Sequence, residues 1–168
     1  MIISTRLLGW GLAAAVASSL ASPARAATQM PTALSMLVGQ WTCTYTGPKG
    51  TAKSTYTIKK VGDLWVEGGG ENGAYGGHPA NTAMFEFGFD PKKQLYISMG
   101  GDTLPGDYGI STAPGSSTAT TMTFVNNYPE DPTHERDLWH YTKTAIVVNS
   151  TWVEKGKAMT SKTVCMPG

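Results

Sequence analysis

The chain has 168 residues, of which 40% are hydrophobic and 15% are charged, and its formal net charge is +1. This length and composition suit one folded domain with a hydrophobic core of its own. A charge so close to zero excludes the basic footprint that nucleic-acid-binding proteins and proteins of anionic membrane surfaces carry.

The N-terminal segment predicts a signal peptide. Arg6 precedes an apolar stretch over residues 7–20, and "ARA" at residues 24–26 has the small-residue pattern of a cleavage site. The apolar stretch contains Gly and Ser and is shorter than the roughly 20 residues of a membrane span. Cleavage after residue 26 leaves residues 27–168 as a single domain with a formal charge of 11 − 12 = −1. We therefore expect a periplasmic or secreted protein with no membrane segment after cleavage.

A short helix and then a series of short strands are expected after the signal peptide. Leu34, Leu37 and Val38 have helical spacing before Gly39, and no convincing amphipathic helix follows. The runs "WTCTYTG" and "TAKSTYTIKKVG" alternate in polarity and are separated by the hairpin turn "GPKG". The run "DLWVE" predicts a third strand.

The middle of the chain carries the clearest strand pattern. "NTAMFEFGFDP" places Phe85, Phe87 and Phe89 on one face and Glu86 on the other, and "QLYISMGGD" alternates in the same way. Five further runs follow: "YGIST", "STATTMTFVNN", "ERDLWHYT", "AIVVNSTWVEKG" and "KAMTSKTVCMP". About ten strands at intervals of roughly 8–12 residues predict an all-β, antiparallel, up-and-down barrel, since closure removes exposed sheet edges.

The two cysteines add a topological constraint. Cys43 lies on the first predicted strand and Cys165 on the last. In an exported protein such a pair is typical of one disulfide, and neither cysteine has the C-x-x-C spacing of a redox or metal site. A bridge between them requires the first and last strands to be neighbours, as in a closed barrel.

The segment "GGGENG" at residues 68–73 fits the G-x-G-x-x-G spacing of a dinucleotide site. That site also needs a helix directly after the glycines, and here "AYGGHPAN" follows, with two more glycines and a proline. The segment therefore predicts a flexible loop between strands, which carries Glu71, Tyr75 and His78 over the barrel opening.

Two stretches resemble the calycin superfamily, which includes lipocalins, fatty-acid-binding proteins and bacterial lipocalin-like proteins of uncharacterised function. "LSMLVGQWTCTYTG" is similar to the opening of such barrels, where a short helix leads into G-x-W, here Gly39-Gln40-Trp41. "FGFDPKKQLYISMGGD" resembles the middle of the bacterial family, with Asp90-Pro91, Tyr96 and Asp102 at the matching places. The resemblance implies a barrel around a cavity for an apolar small molecule, without a particular activity.

The leading functional hypothesis is an exported barrel that binds a small hydrophobic or aromatic ligand. Aromatic and methionine side chains on the predicted strands suit a planar apolar molecule if they face a cavity, although they could instead fill a solid core. The candidate ligand-binding residues are Trp41, Trp65, Tyr96, Met99 and Trp139.

The alternative hypothesis is an enzyme in the same barrel, an isomerase, lyase or hydrolase of a small organic substrate. Its polar groups at the mouth would be His78, Tyr75, Glu71 and Asp102, although no G-x-S-x-G or other catalytic spacing occurs. A third hypothesis is haem binding through His78, His134 or His140. We otherwise expect no cofactor and no metal site, since the chain has neither H-x-H nor H-x-x-x-H.

Overall fold

The computed structural model describes residues 29–104, 108–128 and 133–168, so the predicted signal peptide lies outside the described residues. The described residues form one helix and ten strands: α1 (Thr32–Leu37), β1 (Gly39–Gly47), β2 (Gly50–Val61), β3 (Trp65–Asn72), β4 (Asn81–Asp90), β5 (Leu95–Asp102), β6 (Tyr108–Pro114), β7 (Thr121–Tyr128), β8 (Arg136–Tyr141), β9 (Ile146–Glu154) and β10 (Lys157–Pro167).

The ten strands form a closed barrel. Each strand pairs antiparallel with its neighbour in the chain, and β1 closes the sheet by pairing with β10. The predicted all-β, up-and-down barrel with a short N-terminal helix is therefore confirmed. Cys43 lies directly opposite Cys165 in this last pair of strands, and the two form the predicted disulfide across 122 positions of the sequence.

The period-two pattern of the sequence sets which side chains face inward. Phe87 and Phe89 are buried inside the barrel, while Met84 on the opposite face of β4 is 73% exposed. On β5, Tyr96 is the buried residue, and Met99 lies on the outer face. Alternation of this kind is expected for antiparallel strands with one dry and one wet face.

The helix α1 covers one end of the barrel, which we call the closed end. Ala33, Leu34 and Leu37 of this helix are buried and join a core cluster that includes Phe89 and Tyr96. The Trp41 indole Nε1 donates a hydrogen bond of 2.7 Å to the Leu37 carbonyl, which ties the G-x-W motif to the helix. The opposite end, where β1 turns into β2 at Gly47 and Gly50, is the loop end.

The glycine-rich segment differs from the prediction. Residues 68–72 belong to β3, so all of "GGGENG" except Gly73 is strand rather than loop, and Glu71 lies on that strand. A Cβ at Gly68 would lie 2.4 Å from the Phe85 ring, and one at Gly70 would lie 1.8 Å from the Thr55 carbonyl oxygen. Glycine is therefore required by close approach of ring and backbone, because no other residue leaves this space free.

Candidate ligand-binding cavity

The barrel interior is packed at the closed end but encloses a cavity of about 550 Å³ above it. Trp41, Ile58, Ile146 and Val148 line the cavity near the closed end, and the Leu37 side chain of α1 also reaches it. A volume of this size lies within the range of roughly 300–1,000 Å³ that is typical of small-molecule sites. The solid-core alternative therefore holds only for the closed end.

Aromatic rings form one wall of the cavity. The Trp139 ring centroid lies 5.3 Å from that of Phe87 and 5.7 Å from that of Phe124, and both pairs meet edge to face. Phe85 and Tyr56 extend the wall through further ring contacts. Offset and edge-to-face pairs at these separations are the favourable arrangements for aromatic rings. The wall is therefore a stable surface for a flat apolar molecule.

Polar side chains line the other part of the cavity, which we call the polar band. Its members occupy inward positions on five successive strands: Ser98, Ser111, Asn126, Asp137 and Ser150. The strand register places Ser98 beside Ser111 and Ser111 beside Asn126, and it places Asp137 beside Ser150. The cavity thus joins an aromatic wall with a short series of hydrogen-bonding groups, which is the usual construction of a small-molecule site.

Asp137 is the most unusual member of the polar band. Its Oδ1 atom is buried and has no hydrogen-bond partner among the described residues. Burial raises the pKa of the Asp137 carboxyl, and a hydrogen bond with Ser150 opposes this shift only in part. A buried carboxylate with a perturbed pKa in a cleft is a recognised mark of a functional site.

A second orphaned polar atom lies on the same strand. The Trp139 indole Nε1 is buried and has no partner among the described residues, and Trp139 lies two positions after Asp137 on the inner face of β8. Most buried polar atoms in folded proteins have a partner, because leaving one without costs roughly 1–3 kcal/mol. Both atoms belong to residues that line the same cavity, which makes these two side chains candidates for contact with a bound molecule.

Sequence reasoning did not single out Asp137. The run "RDLWHY" carries polar and apolar residues on both faces, so its pattern does not reveal which face is inside. The available signal was the spacing of Asp137, Trp139 and Tyr141, which places the acid on the face with two aromatic residues.

A smaller space of about 370 Å³ lies at the loop end. Cys43, Tyr56 and Thr163 line both this space and the larger cavity, so the two adjoin. Tyr75 and His78 of the β3–β4 loop also line it, and the Tyr75 hydroxyl accepts a hydrogen bond of 2.9 Å from the Lys49 backbone N–H. The loop therefore lies over the barrel opening.

The four candidate catalytic residues are not brought together. Tyr75 and His78 share the β3–β4 loop, where their backbones are paired. Glu71 lies on the outer face of β3 and accepts a hydrogen bond of 3.1 Å from the Thr82 hydroxyl. Asp102 ends β5, and its Oδ1 accepts a hydrogen bond of 2.6 Å from the Leu104 backbone N–H, as expected of a turn residue.

The five candidate ligand-binding residues divide into three groups. Trp41 and Trp139 line the cavity. Tyr96 belongs to the closed end, where it is 1% exposed and its hydroxyl donates a hydrogen bond of 3.0 Å to the Ser116 carbonyl. Trp65 and Met99 lie on the outer face, because the register of β3 and β5 places Val66 and Tyr96 inside.

Two of the three histidines lie away from the cavity. His140 is exposed on the outer face of β8, and its Nδ1 is 2.8 Å from the Thr121 hydroxyl oxygen. His134 is also exposed. Of the three candidate haem ligands, His78 is the one that lines the space at the loop end, as far as the described residues show. Within residues 29–104, 108–128 and 133–168, no group of three His, Cys, Asp or Glu could hold a metal ion.

The described part of the chain contains no helix with both the length and the apolar character needed to cross a membrane. Solved β-barrels that are similar to this chain include three designed proteins. A redesigned β-barrel has 11% sequence identity and a TM-score of 0.47, covering 81% of this chain and 96% of its own. Another redesigned barrel, mFAP1, bound to DFHBI, has 12% identity and a TM-score of 0.46, covering 79% and 96%. EF1p2_mFAP2b bound to DFHBI has 8% identity and a TM-score of 0.48, covering 81% and 97%.

No family model matches the chain, and no curated protein matches it.

Proposed function

We propose that the barrel binds a small, flat and largely apolar molecule inside its cavity. The observation that carries this proposal is the cavity of about 550 Å³ between an aromatic wall and the polar band. A protein of this size gains stability by filling its interior, because an empty apolar volume forfeits dispersion contacts. An interior left open and lined with aligned rings is the arrangement expected of a binding protein.

The site of action is outside the cytoplasm in this proposal. The Cys43–Cys165 disulfide supports an oxidising compartment, and the signal peptide expected at residues 1–26 supports export. A barrel in that compartment is suited to carry or sequester a poorly soluble molecule. The cavity is lined by the aromatic wall and the polar band and not by the four candidates Glu71, Tyr75, His78 and Asp102, which supports binding over the enzymatic alternative.

A dye titration tests the proposal with one inner and one outer substitution on β6. Ser111 belongs to the polar band, and Ile110 is the preceding residue on the outer face. The protein is unfolded, washed and refolded to remove any molecule that co-purifies, and then titrated with the neutral planar dye prodan. We expect saturable binding to the wild-type protein and to Ile110→Phe, with a loss of about tenfold or more in affinity in Ser111→Phe.

The loss is expected because the added ring occupies cavity volume, whereas a ring on the outer face does not. Circular dichroism of both variants verifies that the barrel has formed. Equal affinity of the two variants would overturn the proposal, as would failure of the wild-type protein to bind the dye.

A further inference from the structure

The two orphaned atoms of β8 define what a ligand must offer, if the cavity binds one as proposed above. Asp137 Oδ1 is a buried acceptor, and Trp139 Nε1 is a buried donor. Both side chains line the same cavity. A ligand that satisfies both must present a hydrogen-bond donor to the carboxylate and an acceptor to the indole N–H.

The charge of the cavity lining favours a cation as that donor. The ionisable carboxyl groups that line it are Asp137 and Glu135, and its described lining contains no Lys, Arg or His. Two salt bridges, Lys59–Glu67 and Lys60–Asp63, lie elsewhere, on exposed side chains of β2, β3 and the turn between them. A buried carboxylate is costly unless a positive charge approaches it. Among the residues that the structure describes, no cationic side chain lines the cavity beside Asp137, and a cationic ligand would supply that charge.

The rings beside Asp137 favour the same kind of ligand. Phe124 occupies the position opposite Asp137 on β7, and its ring lies 5.7 Å from Trp139 and 6.2 Å from Phe87. Aromatic faces attract organic cations, most strongly when water is excluded. A carboxylate beside Phe124, in a cavity that also holds the Trp139 and Phe87 rings, therefore complements an ammonium group attached to an aromatic body.

We propose that the cavity selects a small aromatic molecule that carries a protonated amine. The ammonium group pairs with the Asp137 carboxylate, the aromatic body packs against Phe87, Phe124 and Trp139, and an acceptor on the ligand meets the Trp139 indole N–H. Ser150 holds the carboxylate in place from the neighbouring strand. The specificity of the site thus rests on one charge and one hydrogen bond within an apolar wall.

Three probes of equal size test this proposal by isothermal titration calorimetry at pH 7. They are 1-naphthylmethylamine, which is protonated, 1-naphthalenemethanol, which is neutral, and 1-naphthoate, which is anionic. We expect the amine to bind about tenfold or more tightly than the alcohol, since a hydrogen bond to a charged group is stronger than one between neutral groups. The anion is expected to bind most weakly. In Asp137→Asn, the ratio between the affinities for the amine and the alcohol falls to about one.

A matched control is Glu86→Gln, which removes a carboxylate from the outer face of β4 and leaves the preference intact.

A second readout, the pH dependence of the preference for the amine, needs no substitution. Lowering the pH protonates the Asp137 carboxyl while the amine stays charged, so the preference for the amine declines. The other titratable groups lining the cavity are Glu135, Tyr56 and Tyr108, and persistence of the decline in Glu135→Gln assigns it to Asp137.

The outcomes separate this proposal from the one on which it rests. Binding of the alcohol without preference for the amine overturns the inference and leaves the proposed function standing. Persistence of the preference in folded Asp137→Asn also overturns it. Failure of all three probes and of prodan to bind the wild-type protein overturns the proposed function itself.

Discussion

The two ends of the barrel use the same strands for different purposes. At the closed end, Leu34 and Tyr96 are each 1% exposed, and the helix leaves no room between the sheet walls. Towards the loop end, the inward positions hold serine, asparagine and aspartate, and the walls enclose a cavity. Close packing stabilises the closed end. The cavity contributes less stability, because its walls are not in contact, but it leaves space for a bound molecule.

The largest effect is expected from removal of the disulfide between β1 and β10, the two strands that close the barrel. We expect the double substitution Cys43→Ala with Cys165→Ala to lower the free energy of unfolding by about 4–5 kcal/mol, as the chain-entropy model gives for a loop of roughly 100 residues. Urea denaturation monitored by tryptophan fluorescence measures this loss. The matched control is Thr42→Ala with Met166→Ala, the neighbouring pair on the outer face, and similar losses for both double variants would contradict the prediction.

Substitution of one tyrosine at the closed end and one beside the cavity compares the packing of the two ends directly. Tyr96→Ala should cost about 3–5 kcal/mol of unfolding free energy, because it opens a void in packed surroundings that cannot collapse. Tyr56→Ala should cost less, since Tyr56 borders the cavity and is held on one side by its hydrogen bond to Asn72. The same urea denaturation measures both, and an equal loss for the two tyrosines would remove the distinction between the ends.

Substitution of the glycines of β3 is expected to cause a smaller loss of stability. Gly70→Ala should cost about 1–3 kcal/mol, the usual range for overpacking, because its Cβ would overlap the Thr55 carbonyl. Gly69→Ala is the control, since the nearest atom to its Cβ would be 3.0 Å away. Thermal denaturation ranks the two variants, and a lower midpoint for Gly69→Ala than for Gly70→Ala would show that close approach at Gly70 is not what requires glycine.

The smallest predicted effect is a gain in stability rather than a loss, and it concerns Asp137. The folded protein holds a proton on Asp137 more tightly than the unfolded chain does, because burial raises the pKa of this carboxyl. Stability from this group is therefore present below the ordinary pKa of about 3.9 and is lost as the pH rises through the raised value. We expect Asp137→Asn to melt at a higher temperature than wild type at pH 7, with the difference disappearing below pH of about 4. A lower melting temperature for the variant at pH 7 would contradict this.

The fold was largely readable from the sequence because its signals are local. The alternation of Phe85, Phe87 and Phe89 indicates an inward face, and the turn residues separate the strands. The cysteine pair indicates that the first and last strands are neighbours. Each of these features depends on residues close in sequence or on one covalent constraint, so no tertiary packing has to be known in advance.

The site was harder to read because it depends on contacts between distant strands. Asp137 is unusual only because of what surrounds it, namely Phe124 on one neighbouring strand and Ser150 on the other. The glycines of β3 were predicted as a loop because their conformational freedom is a local property. Their actual role is to make room for Phe85 and for the Thr55 backbone, which local sequence does not disclose.

The disulfide also determines how the barrel responds to force. Cys43 lies on the first strand and Cys165 on the last, so tension applied at both ends of the chain passes directly between these two residues. The residues between the two cysteines carry none of this tension. The oxidised barrel therefore cannot be drawn out by its ends as an extended chain, and its cavity is protected from mechanical opening for as long as that one bond is intact.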